Sequence, residues 1–243
     1  STSIIIPAYN EAGVIEESLS RLIKVLDSYL ESYEVIVVDD GSHDQTSELV
    51  ENFASTNPKV RLVAYTPNRG KGFAIRQGFK SSKGSTVIFF DADLDIPSDC
   101  IPILLDLKKT NQVDVVVASK MHPDSQVQYP LLRKLFSRSV YFLVWMLLQI
   151  PVKDSQVGLK VFNRAALDAV MHLPRVDGFA FDIELLALIH KANFKIIEGP
   201  VKIEYRTFGS TVSALSVFVA LVQTFGVFYR VRIKGQGSIH GAE

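Results

Sequence analysis

Short apolar runs and helix-spaced apolar positions alternate along the first half of the chain. Residues 3–6, 34–38, 60–65, 87–90 and 114–118 are apolar runs too short for helices and bounded by turn formers, which predicts buried strands of a parallel sheet. Between the first two, Val14, Leu19, Leu22, Ile23 and Leu26 recur at helical spacing, and residues 46–54, 73–80 and 100–110 read as further helices. Asn10 or Glu11 is placed to start the first helix, and Asp44 to cap the second. This alternation, with no internal repeat, predicts an α/β fold: an open, mostly parallel sheet with helices on both faces. Such sheets bind ligands at the carboxyl ends of their strands, and each polar cluster of this half falls at such an end.

After Lys120 the pattern changes. Residues 129–152 read as an inserted apolar helical hairpin or one broken helix, basic at first through Arg133, Lys134 and Arg138. A strand at 157–162, a helix at 163–171 started by Asn163, a helix at 182–192 and short strands at 194–198 and 201–205 follow. We place the boundary of the main domain at residue 211, with an amphipathic helix and tail over 212–243. On that helix Leu215, Phe218, Val219, Val222, Phe225 and Tyr229 share one face, and Ser213, Ser216, Ala220, Gln223 and Thr224 fall mostly on the other. The pattern suits a helix lying on a membrane or packed on the domain, with Arg230, Arg232 and Lys234 placed to meet anionic head groups. Residues 140–150 are apolar but far shorter than the roughly 20 residues that a spanning helix needs.

Composition narrows the function classes. With 26 basic and 26 acidic residues the 243-residue chain carries no net charge, which argues against holding nucleic acid by bulk electrostatics. The single cysteine, Cys100, excludes an internal disulfide and fits a reducing compartment. No secretory leader is evident, since the sequence opens directly on a strand-like run.

The chemistry-bearing residues gather after the strand at 87–90, in Asp91-Ala92-Asp93-Leu94-Asp95, with Pro97 breaking any continuation. Carboxylates at alternate positions share one side of an extended chain and repel each other there. Mg²⁺ or Mn²⁺ relieves that repulsion, bound through one or two carboxylates and substrate phosphate oxygens. A solvated acidic loop is the alternative. Asp39 and Asp40 either accept from a ribose hydroxyl or a base N–H, or cap a turn. Asn68-Arg69-Gly70-Lys71-Gly72 offers backbone N–H groups and two cations to a phosphate, without P-loop or dinucleotide-fingerprint spacing. The five histidines have no metal-ligand spacing.

Four ordered motifs carry a resemblance. Pro7-Ala8-Tyr9-Asn10-Glu11, Val38-Asp39-Asp40-Gly41-Ser42-x-Asp44-x-Thr46, Asn68-x-Gly70-Lys71-Gly72 and Asp91-Ala92-Asp93 resemble the GT-A family 2 glycosyltransferases in their order. The stretches 154–162 and 178–186 are similar to the polyprenyl-phosphate branch, above all the dolichyl-phosphate β-glucosyltransferases. The resemblance implies a GT-A fold with interfacial amphipathic helices, and a metal-dependent, inverting enzyme. It would move a hexose from a nucleotide sugar, UDP-glucose before GDP-mannose, to a polyprenyl or dolichyl phosphate. Pro7, Tyr9, Glu11, Asp39 and Asp40 would surround base and ribose; Lys71, Ala92 and Lys120 would line the phosphates. Asp91 and Asp93 would hold Mg²⁺ or Mn²⁺, with Asp95 adding an oxygen. Arg133 or Arg138 would meet the lipid phosphate, and Arg206 with Ser210 would close over the donor. The implied place is the cytoplasmic face of a membrane, reached peripherally or through a separate anchoring partner. A phosphate acceptor is already anionic near neutral pH, so no side-chain base is needed; Asp182 and Glu184 are the candidates if one were, and read in preference as a pair on an exposed helix end. A family member with a non-lipid acceptor and a non-catalytic nucleotide-sugar-binding module are the alternatives.

Overall fold

The computed structural model describes residues 1–127, 146–178, 180–203 and 222–236. Among the described residues seven strands form one sheet: β1 (Thr2–Ala8), β2 (Tyr33–Asp39), β3 (Val60–Ala64), β4 (Thr86–Phe90), β5 (Val115–Ser119), β6 (Leu159–Asn163) and β7 (Ile196–Pro200). Their spatial order is β3-β2-β1-β4-β6-β5-β7. All pairings are parallel except those of β6, which runs antiparallel to both β4 and β5. The helices are α1 (Ile15–Tyr29), α2 (Thr46–Thr56), α3 (Lys71–Ser81), α4 (Cys100–Asn111), α5 (Arg164–Val170) and α6 (Phe181–Lys191).

Alternate residues of each strand feed two apolar layers, as the two-residue period of a strand requires. Ile4, Ile6, Val35, Val37, Ile88 and Phe90 face Leu19, Leu22 and Leu26 of α1 and Ile101 and Leu104 of α4. Ile5, Ile36, Val38, Phe89, Val117 and Phe162 face Ile75 and Phe79 of α3 and Ile183 and Leu186 of α6. Each fully buried side chain of this size contributes roughly 1.5–3 kcal/mol, so both faces of the sheet hold the fold.

Several boundaries differ from expectation. Neither Asn10 nor Glu11 starts α1. Asn10 adopts a left-handed φ of 56°, and the Glu11 carbonyl accepts from Val14 and Ile15 N–H in a turn that delays the helix to Ile15. The loop is thereby kept as a loop. Asp44 does serve α2, its Oδ1 accepting from Thr46 N–H at 3.0 Å, although Gln45 is the N-cap. Of the strand expected at 201–205, residues 201–203 show a single bridge, Gln126 to Lys202, and 204–205 lie outside the described residues. The C-terminal segment is helical over 222–228 and continues as a π-helical turn, Tyr229–Ile233. It buries Val227 and Val231 against the α6 layer and exposes Val222, Phe225, Tyr229 and Ile233. The rest of the expected amphipathic helix, and most of the 129–152 hairpin, lie outside the described residues. Among the described residues no helix is long and apolar enough to cross a membrane.

Candidate active site

The loops after β1 and β2 are stitched into one wall. Asn10 N–H donates to Ser42 Oγ (2.9 Å), His43 N–H returns a bond to Asn10 Oδ1 (2.8 Å), and Glu11 N–H donates to Thr46 Oγ1 (2.8 Å). Pro7, in register with Val38 on β2, brings Tyr9 to the rim, 42% exposed and edge-on to the His43 ring. Asp39 is buried, accepting from Ser42 N–H at 2.9 Å and from the Ser47 hydroxyl. A carboxylate offers about four acceptor positions, so Asp39 keeps capacity for a ligand. Asp40, also buried, accepts from Tyr65 OH (2.7 Å), Arg69 N–H (2.8 Å) and Gly70 N–H (2.7 Å). Its three bonds fix the loop before α3. Those bonds also correct the reading of 68–72 as a cradle of free N–H groups. Arg69 and Gly70 donate to Asp40, and Gly72 N–H donates to Asp177 O at 2.7 Å. Of the loop's two cations, Arg69 lies over the Phe73 ring at 3.6 Å, and Lys71 reaches the acidic loop.

The Asp91–Asp95 stretch turns instead of running on extended, with Leu94 in the left-handed region (φ 63°) and Asp95 N–H bonded to Asp93 Oδ1 at 3.1 Å. Burial still alternates: Ala92, Leu94 and Ile96 point inward, while Asp93 is exposed and Asp91 and Asp95 lie between. Asp91 begins at the end of β4, its N–H donating to Gly158 O at 3.1 Å. A Cβ on Gly158 would run into the Asp91 carboxylate, so only glycine leaves that side chain its place.

Lys71 Nζ stands 2.5 Å from Asp91 Oδ1, with both side chains about a third exposed (32% and 29%). Burial opposes both charges but is outweighed on each side: Asp91 and then Asp182 hold the Lys71 ammonium above the ordinary lysine range, and Lys71, Lys160 and Lys120 hold Asp91 below the carboxylate range. Their neighbours lack such relief. Asp93, open on its outer side but partly stripped of water where it faces the site, is pushed up to about 6 by that loss and by the charge of Asp91, and burial with Asp93, Asp91, Asp44 and Asp95 pushes Glu11 up to about 7. A site that gathers unneutralised carboxylates and already holds one ammonium fits a cation, and its all-oxygen donors fit Mg²⁺ or Mn²⁺. Among the described residues no three acidic, His or Cys side chains converge as a complete cage. One or two carboxylates with donor phosphate oxygens would therefore share the ion.

Lys120, at the end of β5, faces the same cluster and donates its N–H to Asp154 Oδ2 at 3.2 Å. The structure also brings in residues that sequence reading missed or misplaced. Lys160 on β6 is 1% exposed, with Nζ 2.8 Å from Asp182 Oδ1. Glu184 is fully buried, accepting from Arg175 and Val176 N–H (2.9 Å each) and from Arg230 Nη2 (2.7 Å). Asp182 and Glu184 are therefore not an exposed helix end: α6 starts under the loop 173–178. The one signal in the sequence was the apolar context of Lys160, a lysine inside a strand. Arg133, Arg138, Arg206 and Ser210 lie outside the described residues.

Comparison with known proteins extends this picture. Residues 3–171 match the sequence profile described as Glycosyl transferase family 2. The chain is 30% identical over 201 residues to glycosyltransferase AglD of Haloferax volcanii, covering 82% of this chain and 32% of AglD. It is 35% identical over 217 residues to the dolichyl-phosphate beta-glucosyltransferase of Homo sapiens, covering 81% of this chain and 65% of that protein. The Saccharomyces cerevisiae protein of the same name is 32% identical over 219 residues, covering 82% and 65%. The chain thus spans less than two thirds of each of these relatives. Among solved structures, glucosyl-3-phosphoglycerate synthase from Mycobacterium tuberculosis with Mn²⁺, UDP and phosphoglyceric acid superposes with a TM-score of 0.71 at 19% identity, covering 100% of this chain and 80% of that one. Mannosyltransferase PcManGT from Pyrobaculum calidifontis, in complex with GDP-Man and Mn²⁺, gives 0.67 at 23% identity, covering 96% and 64%. At such identities the likeness is one of fold, and that fold is the GT-A arrangement. With the match running from β1 through α5, and the acidic loop and Lys71 inside it, the chain belongs to glycosyl transferase family 2.

Proposed function

We propose that the protein transfers a hexose from a nucleotide sugar to a polyprenyl or dolichyl phosphate at a membrane surface, with inversion at the anomeric carbon. UDP-glucose is the favoured donor and GDP-mannose the next. The observation that carries the reading is the acidic loop of Asp91 and Asp93 at the carboxyl end of β4, with Lys71 set into it and Glu11 facing it from the loop after β1. The names of the relatives that are 35% and 32% identical support the acceptor and the sugar.

Asp91 and Asp93 would hold Mg²⁺ or Mn²⁺, with Asp95 beside them. The ion would neutralise charge on the departing nucleoside diphosphate. Lys71 and Lys120 add positive charge toward the same diphosphate, and Ala92 lets it lie close to the loop. Tyr9 offers its exposed face to the base, and Asp39, with Pro7 and Glu11, lines the ribose side; Asp40 acts through the loop that it fixes. Arg206 and Ser210 are assigned to donor closure, and Arg133 or Arg138 to the lipid phosphate. The acceptor phosphate, with a second pKa of about 6, attacks as an anion without a base. The burial of Asp182 and Glu184, each beside a basic side chain, accords with that. The exposed stripe of Val222, Phe225, Tyr229 and Ile233 supports peripheral contact with the cytoplasmic face of a membrane, direct or aided by an anchoring protein.

The test is a donor screen with purified protein, Mn²⁺ or Mg²⁺, polyprenyl phosphate in detergent, and UDP-glucose, GDP-mannose or UDP-N-acetylglucosamine. Lipid-linked glucose is expected from UDP-glucose, lost with chelator and reduced at least about a hundredfold in Asp93→Ala. Nucleotide-sugar binding without any lipid product would sink the acceptor assignment.

A further inference from the structure

The charged groups behind the acidic loop exceed what the proposed transfer uses. Lys160 and Asp182 are 1% and 4% exposed and lie within the layer of Phe89, Val117, Phe162 and Phe181. An apolar pair of similar volume would fill that space without the desolvation that two ions suffer. Lys160 is settled, donating to Val157 O at 2.5 Å as well as pairing with Asp182. Asp182 is less so: its Oδ1 has the ammonium 2.8 Å away but no hydrogen bond of good geometry, so a buried acceptor keeps unused capacity.

The start of α6 lies directly against the start of α3. A Cβ on Gly72 would meet the Phe181 ring at 2.6 Å, which places Lys71 and Asp182, the residues next to that contact, on facing helix starts. Lys71 Nζ is bonded to Asp91 on one side, and Asp182 is the second carboxylate whose charge acts on it.

We propose that Asp182 is a second station for Lys71: the ammonium rests on Asp91 while the acidic loop holds no divalent ion, and moves to Asp182 when such an ion takes Asp91. The inference rests on the reading of the acidic loop as a metal site. An ammonium and a divalent cation drawn to one carboxylate repel each other, so each weakens the other's hold on it. A carboxylate waiting in the adjacent layer lowers the cost of displacement and keeps Lys71 at the site, where donor phosphates need it. Lys160 balances the two stations, because a fully uncompensated Asp182 would hold Lys71 permanently. Lys71 and Asp182 act here as positioning residues.

The test measures Mn²⁺ affinity by the electron paramagnetic resonance of free Mn²⁺, without donor or acceptor, in a double-mutant cycle. Lys71→Met frees Asp91 and is expected to tighten Mn²⁺ binding about tenfold. Asp182→Asn removes the second station and is expected to weaken binding about tenfold when Lys71 is present. In the Lys71→Met background the same change should move affinity by less than about twofold, as for independent sites. Equal effects of Asp182→Asn in both backgrounds, or no tightening by Lys71→Met, would overturn the proposal. Should Asp182→Asn not fold, Asp182→Asn with Lys160→Met leaves an uncharged pair in the layer, and its coupling to Lys71 is read in the same way. No Mn²⁺ binding by the wild type, even with UDP, would overturn the metal reading and this inference together. Binding without coupling overturns this inference alone.

Discussion

Gly158 shows how a residue with no functional group controls one that has. Its carbonyl accepts from Asp91 N–H, and its missing Cβ leaves the space that the Asp91 carboxylate occupies. Gly158→Ala must push either β6 or Asp91 aside, an overpacking cost of typically 1–3 kcal/mol. We expect Mn²⁺ affinity to fall by roughly tenfold or more, while the midpoint in urea drops only modestly; calorimetric titration and equilibrium unfolding measure the two. Retention of full Mn²⁺ affinity would show that Asp91 does not need its present position. The sequence displays Gly158 within a stretch of family likeness but gives no reason for a glycine there. The reason is a contact across strands that are nearly seventy residues apart, which no local spacing reveals.

At the scale of elements, legibility follows how local the cause is. The five strands and four helices of the first half were readable because alternation and helical spacing are local properties, and their ends moved by only one to a few residues. The antiparallel placement of β6 between β4 and β5 was not readable, since strand order depends on which gap the other elements leave. Nor was the burial of Asp182 and Glu184. A charged pair at a helix start looks solvated until a loop and a later helix close over it. Glu184 is the clearest case, because it joins α6, the loop at 175–176 and the C-terminal helix through Arg230. Glu184→Ala should leave two N–H groups and a guanidinium without their acceptor, and the expected loss is about 3–5 kcal/mol. Chemical denaturation checks the size of the loss, and hydrogen exchange checks that protection over 222–236 falls first. A loss below about 1 kcal/mol would mean that Arg230 and the loop find other partners.

For the molecule as a whole, the fold gathers carboxylates at the site whose charges it does not itself neutralise. Glu11, near 7, and Asp93, near 6, hold protons that the unfolded chain has already released, because their ordinary values are 4.5 and 3.8. In the absence of a divalent ion these groups bind more protons folded than unfolded between about pH 4 and pH 7, so their contribution to stability falls as pH rises through that window. Carboxylates elsewhere slope the other way: burial raises Glu34, but hydrogen bonds from Ser3, Lys83 N–H and Arg61 outweigh it and hold the pKa below the usual value. The net curve therefore sums opposing slopes, and the diagnostic is a difference between proteins. Glu11→Gln should be more stable than the metal-free wild type above about pH 7, with the gap closing toward about pH 4.5. Metal should reverse this order. Mn²⁺ at about a hundred times its Kd adds roughly 2.7 kcal/mol, or about 5–10 °C in Tm for a chain of this size, and the gain should be larger at about pH 7.5 than at about pH 5, where protons compete for the same carboxylates. Thermal denaturation of both proteins at the two pH values, with and without Mn²⁺, decides it. An equal Mn²⁺ shift at both would mean that the ion does not bind where Glu11 and Asp93 carry their excess charge.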